Sequence, residues 1–274
     1  MKRSFRLLLI QGIVVTALAA SAALAGAATT LTGSQALSSL VSGNSPFILG
    51  NFSYLNKMAQ PTYRDTLRNA PLGVGQSPYA IVLGCSDSRV SPEIIFDKGL
   101  GEVFPIRVAG NIISEHEIGS IEYGVEHLCA PLIVILGHTS CGAVTAAVAH
   151  VQANYDASRP LNTPAPVPYH VSIDVPAPQP PYDALAPYVN SLVNTLIPPV
   201  VTAFNANPAA SAAVKLQAAI VENVKYTAAD LLAKSEIIRT AVDLGTPACG
   251  GKKTIIKGGL YDVNTGKFSL VPLI

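Results

Sequence analysis

Tyr79-Ala80-Ile81-Val82-Leu83-Gly84-Cys85-Ser86-Asp87-Ser88-Arg89-Val90 sets a run of apolar, β-favouring residues directly before a turn of small, polar and charged ones. A second segment repeats the arrangement, with Leu132-Ile133-Val134-Ile135-Leu136 running into Gly137-His138-Thr139-Ser140-Cys141-Gly142. Both read as buried strands ending in functional loops. In an open parallel sheet, ligands gather beyond the carboxyl ends of the strands. The two loops therefore place Cys85, Asp87, His138 and Cys141 around one point. Two thiolates, an imidazole and a carboxylate are a donor set suited to tetrahedral zinc, Zn2+. The plainer alternative is two buried cysteines and a core histidine, but a core has no use for Ser86, Asp87, Ser88 and Arg89 crowded beside it. The predicted fold class is α/β, a mostly parallel central sheet flanked by helices.

At 274 residues and 49% hydrophobic, the chain is long enough for one good core and reads as a single domain. A net charge of +1 with 13% charged residues provides neither a basic run for nucleic acid nor an acidic tail. Lys2, Arg3 and Arg6 precede an apolar run from Leu7 to Leu24, and Ala23-Leu24-Ala25 has the small-x-small form of a cleavage site. Residues 1–25 thus read as a secretory signal peptide and 26–274 as the exported domain, with the periplasm as the expected location. A retained membrane anchor is the alternative, since the run is nearly long enough to span a bilayer. Gln11, Gly12, Thr16 and Ser21 dilute it, and no cysteine follows Ala25 to carry a lipid, so no stable membrane association is expected after cleavage. Cys129 reads as a packed thiol. Whether it pairs with Cys249 is open, because a disulfide needs Cα atoms within about 7 Å.

Along the mature chain, Ala36, Leu37, Leu40 and Val41 give helical spacing from Ser34 to Val41, with Gly43-Asn44 as a stop. Tyr63 to Ala70 reads as a solvated helix before Pro71, Pro92 to Phe96 as a short helix, and Val103 to Val108 as a strand. Ile121, Val125 and Leu128 mark a crossover helix over Ile118 to Leu128, in which His116 and His127 read as surface or cap residues. The helix opening at Gly142 points its first N–H groups at the proposed metal site and favours thiolate there. Twelve of the 21 prolines fall between Pro160 and Pro208. That density predicts a long surface loop, an insertion at about 155–208, carrying one short helix near Tyr188 to Leu196. Val214, Ala218, Val221, Val224, Ala228, Leu231 and Leu232 predict the apolar face of a long helix from Ala209. Ser235 is placed to cap the next helix, which stops at Gly245. Thr254 to Val263 and Lys267 to Leu270 flank a hairpin turn at Asn264-Thr265-Gly266.

The segments GCSDSRVSPE and GHTSCGAV resemble the two signature motifs of the β-class carbonic anhydrases, zinc lyases that interconvert carbon dioxide and bicarbonate. The resemblance runs on through Gln76-Ser77-Pro78, Phe104 to Asn111, Ser120 to Tyr123, Glu222-Asn223-Val224 and Ile237-Ile238-Arg239. It implies the β-carbonic-anhydrase fold with an amino-terminal helical arm lying over a neighbouring subunit, hence a homodimer or higher homo-oligomer. It implies that Cys85, His138 and Cys141 hold zinc, with Asp87 either the fourth ligand of a closed site or swung away to pair with Arg89. In the open form, hydroxide on zinc attacks carbon dioxide while Asp87, oriented by Arg89, accepts its hydrogen bond. By the same resemblance Gln76 hydrogen-bonds the substrate, and Phe104, Ala109, Tyr123 and Gly142 line the pocket. Read as residues alone, Gln76 is a turn residue, and Phe104, Ala109 and Tyr123 suit ordinary core packing equally.

Some family members shut at low pH and carry a tryptophan where Val82 stands. This chain has no tryptophan, so an open site at neutral pH is expected. Two rival functions stand beside carbon dioxide hydration: a carbonyl sulfide or carbon disulfide hydrolase on the same scaffold, and a non-catalytic zinc-stabilised binding protein. Structural zinc sites are closed, and Asp87, Arg89 and Gln76 tell against the second.

Overall fold

The computed structural model describes residues 28–53, 56, 75–154 and 187–273. The expected signal peptide, the helix expected over 63–70 and the part of the expected insertion over 155–186 lie outside the described residues. Five strands form one sheet: β1 (Ala80–Gly84), β2 (Val103–Arg107), β3 (Leu132–His138), β4 (Ile255–Tyr261) and β5 (Phe268–Val271), in the order β2-β1-β3-β4-β5. The first four are parallel, and β5 returns antiparallel to β4 across the predicted hairpin. Pro105 sits in β2, the edge strand, where a missing N–H does least harm.

Alternation along β1 and β3 divides the core in two. Ala80, Val82, Leu132, Val134 and Leu136 face one side of the sheet, while Ile81, Leu83, Ile133 and Ile135 face the other. The second side is covered by α3 (Glu115–Glu126) and by α6 (Ala212–Lys234) with α7 (Glu236–Asp243), the last capped by Ser235 as anticipated. Around the carboxyl ends of the strands, α4 (Gly142–Asn154), α5 (Pro187–Ala206) and the start of α6 enclose a further cluster that contains Cys85 and Cys141. A short α2 (Pro92–Ile95) follows the first loop. Among the described residues, no helix is long and apolar enough to cross a membrane.

Several elements differ from expectation, each for a tertiary reason. The first helix, α1 (Gly33–Ile48), does not stop at Gly43-Asn44 but continues through them and through Pro46. Asn44 is buried, and its side-chain amide donates to Ile95 O at 3.1 Å and Gly266 O at 2.9 Å while its oxygen accepts from Phe268 N at 2.9 Å. A residue that would end a solvated helix here fastens α1 to two distant loops. Ala36 and Leu40 are fully buried against β1 and β3 of the same chain, so α1 is docked on its own sheet.

The proline-rich region is likewise not a loop beyond Pro187. Helix α5 runs 20 residues with Pro198 and Pro199 inside it. An interior proline costs ~3 kcal/mol or more. Val193, Leu196, Ile197, Val200, Val201 and Phe204 are all buried, each contributing roughly 1.5–3 kcal/mol, so burial wins. On α6 the buried stripe runs through Lys215, Ala219, Ile220, Asn223, Val224, Thr227 and Leu231, and Val214 is half-exposed rather than part of the core.

Cys129 is not a packed thiol: it is bonded to Cys249, with Cα atoms 5.5 Å apart. The pairing of Leu132 with Ile255 brings the segments leading into β3 and β4 side by side. The two cysteines, 120 residues apart, meet at the amino edge of the sheet.

Candidate metal centre

After β1 the chain turns outward to β2 on one side, and after β3 it leads to β4 on the other. The crevice of a doubly wound sheet opens where successive connections diverge, here between β1 and β3. Cys85 follows β1 by one residue, His138 ends β3, and Cys141 precedes the first residue of α4. Their ligand atoms all lie within 4.8 Å of one another, and all three residues are buried.

Hydrogen bonds fix the donors. The His138 ring offers Nδ1 to Thr139 O at 2.9 Å. A carbonyl only accepts, so the proton sits on Nδ1 and the Nε2 lone pair is bare. Nε2 is buried with no hydrogen-bond partner, which an imidazole tolerates when that lone pair serves a metal. Gly110 N–H donates to Cys85 Sγ at 3.3 Å. The Cys141 thiol and the amides of Gly110 and Asp87 pull Cys85 down to about 4 against burial. Cys141 moves up, chiefly because it faces the Cys85 sulfur and is desolvated, although the Val144 and Ala143 amides at the start of α4 oppose this. Cys85, Cys141 and the orphaned His138 nitrogen would together satisfy a divalent cation bound between them. Two sulfurs and an imidazole nitrogen gathered this closely are a donor set that fits zinc.

Beside these donors lies a carboxylate–guanidinium pair. Arg89 Nε donates to Asp87 Oδ1 at 2.9 Å and Nη2 to Oδ2 at 2.6 Å, while Arg89 N–H donates to Oδ1 at 3.0 Å. The Arg89 guanidinium and the Arg89 backbone N–H hold the Asp87 carboxyl well below the usual carboxylate range. Asp87 Oδ2 is 4.0 Å from His138 Nε2. The structure therefore shows Asp87 turned to Arg89, the paired arrangement of the two left open by the sequence. Arg89 Nη2 also reaches Ser140 O at 3.4 Å, tying the two loops together.

The other residues singled out from the sequence are placed less tightly. Ala109 and Phe104 are half-buried. Ala109 begins the 3-10 turn Ala109–Asn111 against Cys85, and Phe104 pairs with Tyr123 at a ring separation of 6.3 Å. Tyr123 is 39% exposed in the single chain, and Gln76 is exposed. At Gly142 a Cβ would meet nothing within 4 Å, so the space beside the second loop is open.

Three functional supports went unrecognised in the sequence. Arg107 donates through Nε to Cys85 O at 3.1 Å and through Nη2 to Asp87 O at 2.7 Å, bracing the turn that carries a ligand and the acid. Its signal was an arginine ending an otherwise apolar strand. Thr139 receives Val263 N–H at 3.0 Å and donates to Asp262 at 3.2 Å, steadying the end of β3 against the hairpin. Asn223 donates to Gly110 O at 2.8 Å.

Residues 80–164 match the sequence profile of the family described as carbonic anhydrase. Carbonic anhydrase 2 of Mycobacterium tuberculosis is 49% identical over 102 residues, which cover 37% of this chain and 49% of that protein. The match thus spans about half the length of the curated relative. Among solved structures, a Coccomyxa β-carbonic anhydrase in complex with acetazolamide has a TM-score of 0.56 at 22% identity, covering 83% of this chain and 85% of that one. A tetrameric β-carbonic anhydrase of Sordaria macrospora has a TM-score of 0.51 at 22% identity, covering 79% of this chain and 92% of that one. Residues 80–164, which carry Cys85, His138 and Cys141, are thus similar to the carbonic anhydrase family, and the chain has the β-carbonic-anhydrase fold.

Proposed function

We propose that this protein is a zinc-dependent carbonic anhydrase that reversibly hydrates carbon dioxide to bicarbonate and a proton. One observation carries the reading: Cys85, His138 and Cys141 converge while the neighbouring carboxylate, Asp87, is held by Arg89 4.0 Å from the imidazole nitrogen instead of closing around it. A purely structural zinc site has no need of that pair. Zinc held by the three ligands supplies Lewis acidity, bringing deprotonation of water into the neutral range. Asp87, kept ionised by Arg89, accepts a hydrogen bond from the attacking oxygen and orients it toward substrate. Arg107 holds the backbone of the turn so that Asp87 presents its carboxylate in one position.

In the same reading, Phe104, Ala109 and Tyr123 form the apolar wall for the gas, the open space beside Gly142 admits it, and Gln76 hydrogen-bonds it. The exposure of Gln76 and Tyr123 supports a pocket completed by a second copy, in a homodimer or larger assembly. Export to the periplasm is supported by the basic-then-apolar start of the sequence and by the Cys129–Cys249 disulfide, a bond that persists in oxidising compartments.

The deciding measurement is stopped-flow proton release from carbon dioxide by purified mature protein, with and without a zinc chelator, beside sulfide release from carbon disulfide. Chelator-sensitive hydration without sulfide release supports the proposal. Sulfide release alone moves the assignment to the sulfur hydrolases, and zinc binding with neither activity moves it to a binding protein.

A further inference from the structure

Helix α6 buries the polar side chains of Asn223 and Thr227, each 2% exposed. They stand one helical turn apart and so present to the same place. Burying an amide and a hydroxyl is costly unless both are hydrogen-bonded. Their partners are two successive carbonyls: Asn223 Nδ2 donates to Gly110 O at 2.8 Å, and Thr227 Oγ1 donates to Asn111 O at 3.4 Å.

These carbonyls belong to a turn with left-handed backbone at both residues, Gly110 at φ 74° and Asn111 at φ 45°. Only glycine takes the first position without strain. A Cβ there would also lie 3.0 Å from Leu196 and 3.2 Å from Ala143. The turn matters because its Gly110 N–H is the donor to Cys85 Sγ. Anchoring the Gly110 carbonyl on α6 limits how far the turn, and with it that N–H, can move. The depth of α6 is set independently: a Cβ on Gly137 would lie 2.6 Å from Val224, so the helix rests directly on β3 one residue before His138. Asn223, next to Val224, thus reaches the Gly110 carbonyl from a seat referenced to the imidazole ligand.

We propose that Asn223 is a positioning residue of the metal centre. Through Gly110 it holds an amide N–H on the Cys85 sulfur, and so fixes the orientation of that ligand from 138 residues along the chain. Thr227 supports the same turn. The inference rests on the metal reading above, but not on which substrate the metal serves. Partners of this kind orient ligands, and their loss weakens metal binding by about 10–100-fold.

The test uses the full mature protein. Asn223→Asp keeps the shape but puts a carboxylate oxygen where the donor stood, and Asn223→Leu removes the donor without adding charge. Zinc affinity is read by competition with a chromophoric chelator, and the sulfur ligands by the thiolate-to-cobalt charge-transfer band of the Co2+-substituted protein. Both variants should release zinc about 10–100-fold more readily and shift the band. Leu231→Ala, a core truncation on the same helix, should lower the melting temperature without moving the band. If neither position-223 variant folds, Thr227→Val carries the test, with weaker zinc retention and a smaller band shift expected. Unchanged affinity and an unchanged band in folded variants would overturn the role of Asn223 alone. A wild-type protein that takes up neither zinc nor cobalt would overturn the metal centre with it.

Discussion

The two pairs of cysteines have opposite fates. Cys85 and Cys141 lie beyond the carboxyl ends of β1 and β3, buried beside amide N–H groups and an imidazole, and form no disulfide. Cys129 and Cys249 lie ahead of β3 and β4, at the amino edge, and are joined. Residue type is the same, and so is the enclosing sheet. What differs is the end of the strands. In a parallel sheet every connection leaves from the carboxyl edge at similar height and diverges at the switch between β1 and β3, opening a crevice lined with N–H donors that stabilise thiolate. The amino edge brings chain segments together without such a crevice, and proximity there favours a covalent tie. One edge carries the proposed chemistry; the other ties distant segments together.

The sharpest way to break this contrast is at the carboxyl edge. Cys141→Ser should reduce zinc content to background by metal analysis and carbon dioxide hydration to the uncatalysed level, because two donors do not hold catalytic zinc. Arg89→Ala should come next, lowering kcat by about 10²–10³-fold. Arg89 is half-exposed, so its melting temperature and zinc content should stay near wild type. Normal turnover in that variant would remove the pair from the mechanism.

At the amino edge the effect should reverse in kind. The Cys129→Ala/Cys249→Ala double variant should lose roughly 2–5 kcal/mol of stability, read as a lower melting temperature, while keeping zinc stoichiometry and activity per folded molecule. Loss of zinc there would show that the two edges are not independent.

The smallest effect is on pH. Arg89 depresses the folded-state pKa of Asp87 below its unfolded value, so the pair adds stability above the unfolded carboxylate pKa near 3.9 and loses it as pH falls through the lower folded value. Acid titration of metal-free protein should therefore show a slight advantage of wild type over Arg89→Ala above about pH 4 that disappears in stronger acid. Solvent screening around the exposed guanidinium keeps this advantage small.

What the sequence by itself determined is what can be written in a short window. The apolar runs ending at Gly84 and Leu136, the polar loops after them, the serine cap at Ser235 and the turn at Gly266 each carry a local signature, and the ligand set follows because strand ends share one edge. Tertiary structure alone decided the rest. Helix α1 passes through Asn44 because two distant carbonyls and one N–H satisfy that side chain. Helix α5 passes through Pro198-Pro199 because its apolar face is buried against α4 and α6. Cys249 finds Cys129 across 120 residues, and Asn223 reaches the turn behind Cys85. In each case the partner lies far along the chain, and its free energy, gained only on folding, outweighs a local preference that points the other way.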